Sequence, residues 1–510
     1  MTDVPGHTRS IIDPMYDAGI RLLHVGINSA CPLPSVPTFC RWRSPSGNDL
    51  LLVYQKDYGE DEVLPDGKTV VSINFTGDNH GPHSYERVKK IYADLRKRYP
   101  QAQLVGASFN DVARELLLIK KDLPVVTSEI GDTWIFGYGG APIRMAKFRA
   151  VSRLYSQWLN EGKIKKDSDV ALDFAAELGL IAEHTQGVDV KTHLRQWDKY
   201  DMDKFLKGRS EGVFSMAEAS WKEIDNYIDS AIAFLPASLQ KEAREVVAEV
   251  DKVKLEDNSK MKPMARKRWE QPIAGGMTLA GLSYQMFDGD DYDDFQNRYL
   301  RARYGWALDD LGKRGLKESH AVSVTLYAQT MAQSVRKEKK GTRIITELRF
   351  PENEKVDKRV YPERIQVNCF TTKNGKRSEV ALTIYGKPAV RLPESYWLSF
   401  TVPGIESVIA EKMGERVNLM DVVEKGNRQM HGIDRYVDLI TSGETIRISS
   451  KEAFLLNVGE AQGLNYSTNY PDKRKGVHFN LNNNLWGTNF SMWNEGSLTY
   501  HFVIETLSRK

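Results

Sequence analysis

Short apolar runs alternate with amphipathic stretches over the first part of the chain. Ile20–Val25, Leu50–Tyr54 and Thr69–Asn74 are compact apolar runs, the pattern of buried strands. Ile11–Ala18 reads as a helix with Ser10 as its cap. Tyr85–Tyr99 sets Val88, Ile91, Tyr92 and Leu95 on one helical face. Ser108 and Asp111 form a capping-box start for a helix over Val112–Ile119. Gln103–Ala107 and Pro124–Glu129 read as further strands. Alternation of this kind predicts a mainly parallel α/β sheet covered by helices over residues 1–139.

From Gly140 onward the strand signal fades. Ile143–Asn160, Ser168–His184, Lys191–Lys207, Met216–Ile232 and Leu239–Lys254 are amphipathic or charge-dense, predicting a helical bundle over residues 140–256. The polar, basic stretch Asp257–Arg268 reads as a linker, because it lacks the interleaved aromatics of a nucleic-acid surface. Beyond it the period shortens to two. Val322–Tyr327, Thr342–Phe350, Arg364–Phe370, Glu379–Tyr385, Trp397–Val402, Thr445–Ser449, Lys475–Asn480 and Thr499–Glu505 read as strands, with a turn at Lys373-Asn374-Gly375. An antiparallel β-sandwich over residues 257–510 follows.

Composition changes this picture little. At 510 residues the chain is too long for one ordinary core. Its 71 basic and 68 acidic side chains nearly cancel, which gives no electrostatic case for a nucleic-acid or membrane partner. No apolar run approaches the roughly 20 residues of a membrane helix. Cys31, Cys40 and Cys369 have no C-x-x-C spacing, so neither a disulfide framework nor a thiolate metal site is expected. With no signal-peptide pattern at the N-terminus, a cytoplasmic protein is expected.

Four short constellations carry ionisable groups. Asp3-Val-Pro-Gly-His7 reads as a strand breaking into a loop, and the carboxyl ends of strands are where α/β proteins assemble chemistry. It lies either at an edge of the fold or beside a missing part of the domain. Phe75-Thr-Gly-Asp-Asn-His-Gly-Pro82 places Asp78, Asn79 and His80 after another strand; a simple Asx-turn is the competing reading. Glu129-Ile-Gly-Asp132-Thr-Trp134 interleaves carboxylates with aromatics, a chemistry suited to sugars, or else a packed corner with a satisfied Asp. Glu183-His184-Thr185-Gln186-Gly187 closes an apolar helix, where a lone His is usually structural.

In order and wording these motifs resemble glycoside hydrolase family 38, the zinc-dependent retaining α-mannosidases, and most of all an uncharacterised branch known only as a domain of unknown function. Asp3-Val-Pro-Gly-His7 is similar to the family's nucleophile motif, with Pro5 replacing Phe. Gly77-Asp78-Asn79-His80 resembles its acid/base motif, and Glu183-His184-Thr185 loosely resembles a metal-ligand motif. Gly426-Asn-Arg428 and Asn482–Trp493 are similar to the uncharacterised branch.

The resemblance implies catalytic roles for Asp3 and Asp78, and sugar contacts from His7, Asn79, His80, Asp132 and Trp134. It implies zinc as cofactor on Asp3 and His184, with carbohydrate as partner. Asn79 stands where the family has its acid, leaving Asp78, Asp132 or Glu129 for that role. The family's His-x-Asp ligand motif does not occur before Asp3, which implies a barrel-like catalytic domain lacking its N-terminal part and an incomplete zinc site. A non-catalytic carbohydrate-binding member of the fold, and a glycosidase of another linkage, are the alternatives.

Overall fold

A computed structural model describes residues 2–77, 80–487 and 489–508. The early apolar runs meet in an open five-stranded sheet, in the order Thr2–Asp3, Leu22–Ile27, Asp49–Gln55, Phe39–Arg43, Val125–Val126. Val25, Ile27, Leu50, Leu52 and Trp42 are buried there with Ile12 from the helix Ile12–Asp17. The expected parallel, barrel-like sheet is instead open and mixed: three of its four pairings are parallel and one is antiparallel. The cause is a tight turn at Ser44–Asn48. Gly47 takes φ 99° and the Ser44 amide donates to the Asn48 carbonyl at 2.9 Å, so the flanking strands fold back as a hairpin. Gln103–Ala107 is not a strand but mostly exposed chain between two helices. No described strand lies beside it to complete a ladder.

The helices that follow span Pro142–Asn160, Asp169–Gly179, Met202–Ser210, Ser215–Ala233 and Ala237–Asp251. Four of them close on Trp158, Phe174, Ile228 and Leu239, while Met202–Ser210 packs Phe205 against Phe214 and Trp493. Two departures from the periodic pattern position the site. The helix expected to reach His184 ends at Gly179 and continues as a 3-10 turn over Leu180–Ala182; Glu183 then takes extended backbone and His184 lies in the bend that follows, off the helix. The stretch expected as Lys191–Lys207 breaks after His193, and Asp201 caps a fresh helix by accepting from the Lys204 amide at 3.0 Å.

The C-terminal strands form a ten-stranded and a seven-stranded antiparallel sheet. Phe400 and Phe479 of the smaller sheet meet Phe502 of the larger at 5.4 and 5.1 Å, so the two pack face to face. Each strand expected here overlaps an observed one, and Gly375 (φ 65°) makes the expected turn. The pattern missed the helix Gly289–Tyr299, which Asp288 and Asp291 start with a capping box. Among the described residues no helix is long and apolar enough to cross a membrane, and all three cysteines are buried free thiols.

One core feature is ionic. The Lys387 ammonium lies 2.6 Å from Glu394, with the two side chains 4% and 0% exposed, and Tyr284 donates to the other Glu394 oxygen. Lys387→Met would strand a buried carboxylate, so urea denaturation should show a loss of about 3–5 kcal/mol. Pairing it with Glu394→Leu should restore most of that stability.

Candidate active site

Three parallel strands end side by side, and the chain leaving them supplies Asp3, Asn28 and Tyr58. Asp3 Oδ1 accepts from Asn28 Nδ2 at 2.9 Å and from the Tyr58 hydroxyl at 2.5 Å. Tyr58 comes this close because residue 26 is glycine: a Cβ there would lie 2.8 Å from the Tyr58 Cα. Asp3 itself adopts φ 95°, left-handed backbone that costs a non-glycine residue about 1–3 kcal/mol. Its carbonyl accepts from the Asn28 amide at 2.9 Å, so backbone and carboxylate are held by the same neighbour.

The helical region contributes His184, whose Nε2 lies 3.2 Å from Asp3 Oδ2. Glu183 bonds its other ring nitrogen, which fixes the imidazole between two carboxylates. Asp3 and His184 remain 23% and 36% exposed, so the pair faces the solvent side of the site. Burial works to raise the Asp3 pKa, but the bonds from His184, Tyr58 and Asn28 outweigh it and leave it below the usual carboxylate value. The same bond to Asp3 raises the His184 pKa against its own burial.

Asp132 is the electrostatic opposite. It is 8% exposed, and burial pushes its carboxyl up to about 7 although the Tyr299 hydroxyl reaches both its oxygens at 2.9 and 3.1 Å. The Trp134 amide also donates to it, at 3.2 Å. Cys31 sits between the neighbours of the two carboxyls: its amide donates to the carbonyl of Asn28, the partner of Asp3, at 3.0 Å, and its Sγ lies 3.5 Å from the hydroxyl of Tyr299, the partner of Asp132. Burial pushes its thiol well above the ordinary range. The Trp134 indole lies nearly parallel to the His184 ring at 6.2 Å and meets Trp486 at 5.9 Å, forming an aromatic wall. Gly6 completes the packing: a Cβ there would fall 2.7 Å from the Asp132 Cβ. Gly6→Ala should therefore displace Asp132 and lower stability by about 1–3 kcal/mol, read by urea denaturation.

The remaining sequence candidates fall as follows. His7 pairs its backbone with Ile130 and bonds its Nε2 to the Val4 carbonyl, and burial brings its pKa down to about 4. Glu129 is tied up structurally: one oxygen accepts from Thr8 and the Arg9 amide, the other from Lys412 at 2.8 Å. His80 is exposed with its ring over Gly77, and Asp78 and Asn79 lie outside the described residues. Periodicity gave no sign of Asn28, Tyr58 or Tyr299. The first two follow strand ends, so the strand-end rule applied to every early strand would have found them.

The donor set tests the implied zinc. Asp3 Oδ2 and His184 Nε2 converge, but among the described residues no group of three or more His, Cys, Asp or Glu does. Two donors fall short of the three protein ligands of a catalytic zinc. The described residues do not fit the metal.

Comparison with known proteins agrees with this geometry at the level of fold. A family model described as a domain of unknown function (DUF5054) matches residues 139–270. No curated protein matches the sequence. An α-mannosidase from Enterococcus faecalis superposes with a TM-score of 0.51 at 10% identity, covering 99% of this chain and 74% of its own. A glycosyl hydrolase family 38 protein from the same organism aligns at 10% identity with a TM-score of 0.42, covering 100% of this chain and 72% of its own. The likeness to the first shows a fold of the α-mannosidase kind.

Proposed function

We propose that the chain is a glycoside hydrolase of α-mannosidase type in which Asp3 is the nucleophile and Asp132 the proton donor. One observation carries the reading: a carboxylate with a lowered pKa and a buried carboxyl with a raised one flank the same aromatic wall, Asp3 through its bond to His184 and Asp132 through the Trp134 amide. Two carboxyl groups with their pKa values pushed apart are the acid–base pattern of glycosidases. Asp132 takes the acid role in place of Asp78.

In the first step an Asp3 oxygen attacks the anomeric carbon while Asp132 gives its proton to the leaving oxygen. The C–O bond to the leaving group breaks and a glycosyl ester on Asp3 forms. Water then attacks the same carbon, returns a proton to Asp132 and frees Asp3. Tyr58 and Asn28 hold the Asp3 carboxylate, and His184 supports its charge. Trp134 offers an apolar face to the sugar ring.

The second reading is carbohydrate binding without turnover. It is favoured by the two-donor metal set and by bonds already made to both Asp3 oxygens. Incubation with p-nitrophenyl α-mannoside, followed by NMR of the first-formed sugar, separates the two. The hydrolase releases α-mannose before mutarotation. Binding with no release supports the second reading, and turnover of other α-glycosides alone points to a different linkage.

A further inference from the structure

A small cavity, walled in part by Gly487, shares no lining residue with the Asp3–Asp132 site. Its lining carries four cations, Lys191, Lys313, Arg314 and Arg391, against two carboxylates, Asp309 and Asp310. Both carboxylates are already committed: Asp310 to Lys191 at 2.7 Å and Asp309 to Arg314 at 3.4 Å. No described carboxylate pairs with Lys313 or Arg391. Lys313 Nζ donates to the Trp486 carbonyl at 3.0 Å. Arg391, only 2% exposed, reaches the Trp197 carbonyl at 3.4 Å and lies over the Tyr200 ring at 4.2 Å. The half-buried Lys313 ammonium beside the buried Arg391 guanidinium, with neutral hydrogen-bond acceptors and only the more distant charge of Asp198 to offset them, is electrostatically costly. The cost shows in Lys313, whose ammonium is brought down to about 7 by burial and by the Arg391 charge beside it.

We propose that this cavity binds a small inorganic anion of chloride size, which would lie between the two cations and offset one of their two charges. Its volume of ≈ 20 Å³ has room for a particle of about water size, which favours a monatomic anion over a larger one. The wall is preformed: a Cβ on Gly487 would lie 2.4 Å from the Asp310 carbonyl and 2.5 Å from that of Gly312, so the backbones are already in contact.

The test titrates sodium chloride into the full chain at constant ionic strength, with gluconate (too large to enter) as the replacement anion. The thermal midpoint should rise saturably by about 1–3 °C. Lys313→Gln and Arg391→Gln should each remove that dependence. Chloride NMR on the unmodified protein gives a second readout: excess linewidth that bromide displaces. A midpoint indifferent to chloride with no excess linewidth overturns the proposal, as does a chloride response unchanged in folded Lys313→Gln.

Discussion

Asp132→Asn should abolish turnover and at the same time stabilise the folded protein at about pH 8. The stability half follows from where the proton sits. Asp132 ionises near 3.8 when unfolded and at about 7 when folded, because burial disfavours its charge. Between those values the folded chain keeps a proton that the unfolded chain has released, so its contribution falls as pH rises from about 4 to 7 and stays low above. The amide carries no such cost and still accepts from Tyr299. Urea denaturation at about pH 8 should find the variant more stable by about 2–4 kcal/mol, with the difference closing below about pH 4. The activity half follows from the same proton. Wild-type kcat/KM should fall on an alkaline limb centred at about 7, as Asp132 loses the proton it donates. A variant with unchanged stability at alkaline pH would show that burial does not raise the Asp132 pKa.

Asp3→Asn should lower turnover by at least about 10³-fold, or about 4 kcal/mol of barrier, while leaving the fold intact. Its amide oxygen still accepts from Asn28 and Tyr58, and its Nδ2 faces the His184 Nε2. That nitrogen accepts once the ring is neutral. The loss is therefore of nucleophilicity rather than of packing. His184 supplies an independent readout, because its pKa is raised chiefly by the bond to Asp3. Its NMR titration should move to lower pH in the variant. Equal turnover in wild type and variant would reject Asp3 as nucleophile.

What the sequence revealed of this architecture depended on how far each element's pattern is local. Sandwich strands such as Thr445–Ser450 and Gly496–Leu507 alternate because one face of each meets the core, whereas Val477–Asn483 is buried on both faces, and Lys373-Asn-Gly375 announces its own turn. The helix Tyr85–Arg98 was equally plain from its single apolar face. The hairpin through Gly47 was missed because Phe39–Arg43 does not alternate strictly. The helix Gly289–Tyr299 was missed because its acidic surface hides Tyr292, Phe295 and Tyr299.

The site was legible in halves. Asp3 and His184 stand in recognisable motifs, and the structure brings them to 3.2 Å although 180 residues separate them. The carboxyl at Asp132 was visible as a residue but not as an acid. Its high pKa comes from burial, which outweighs the bond from Tyr299 and which no spacing in Glu129–Trp134 encodes. Tyr58 and Asn28 become visible only once three strands are known to end together.

The central claim is that Asp3 forms a covalent bond to the sugar. The most direct measurement uses a fluorinated α-mannosyl fluoride, which forms the glycosyl ester quickly and hydrolyses slowly, followed by peptide mass spectrometry. The account predicts one added fluoromannosyl unit on the peptide carrying Asp3, absent in Asp3→Asn. Label on another carboxylate, or turnover with no label on Asp3, would contradict it.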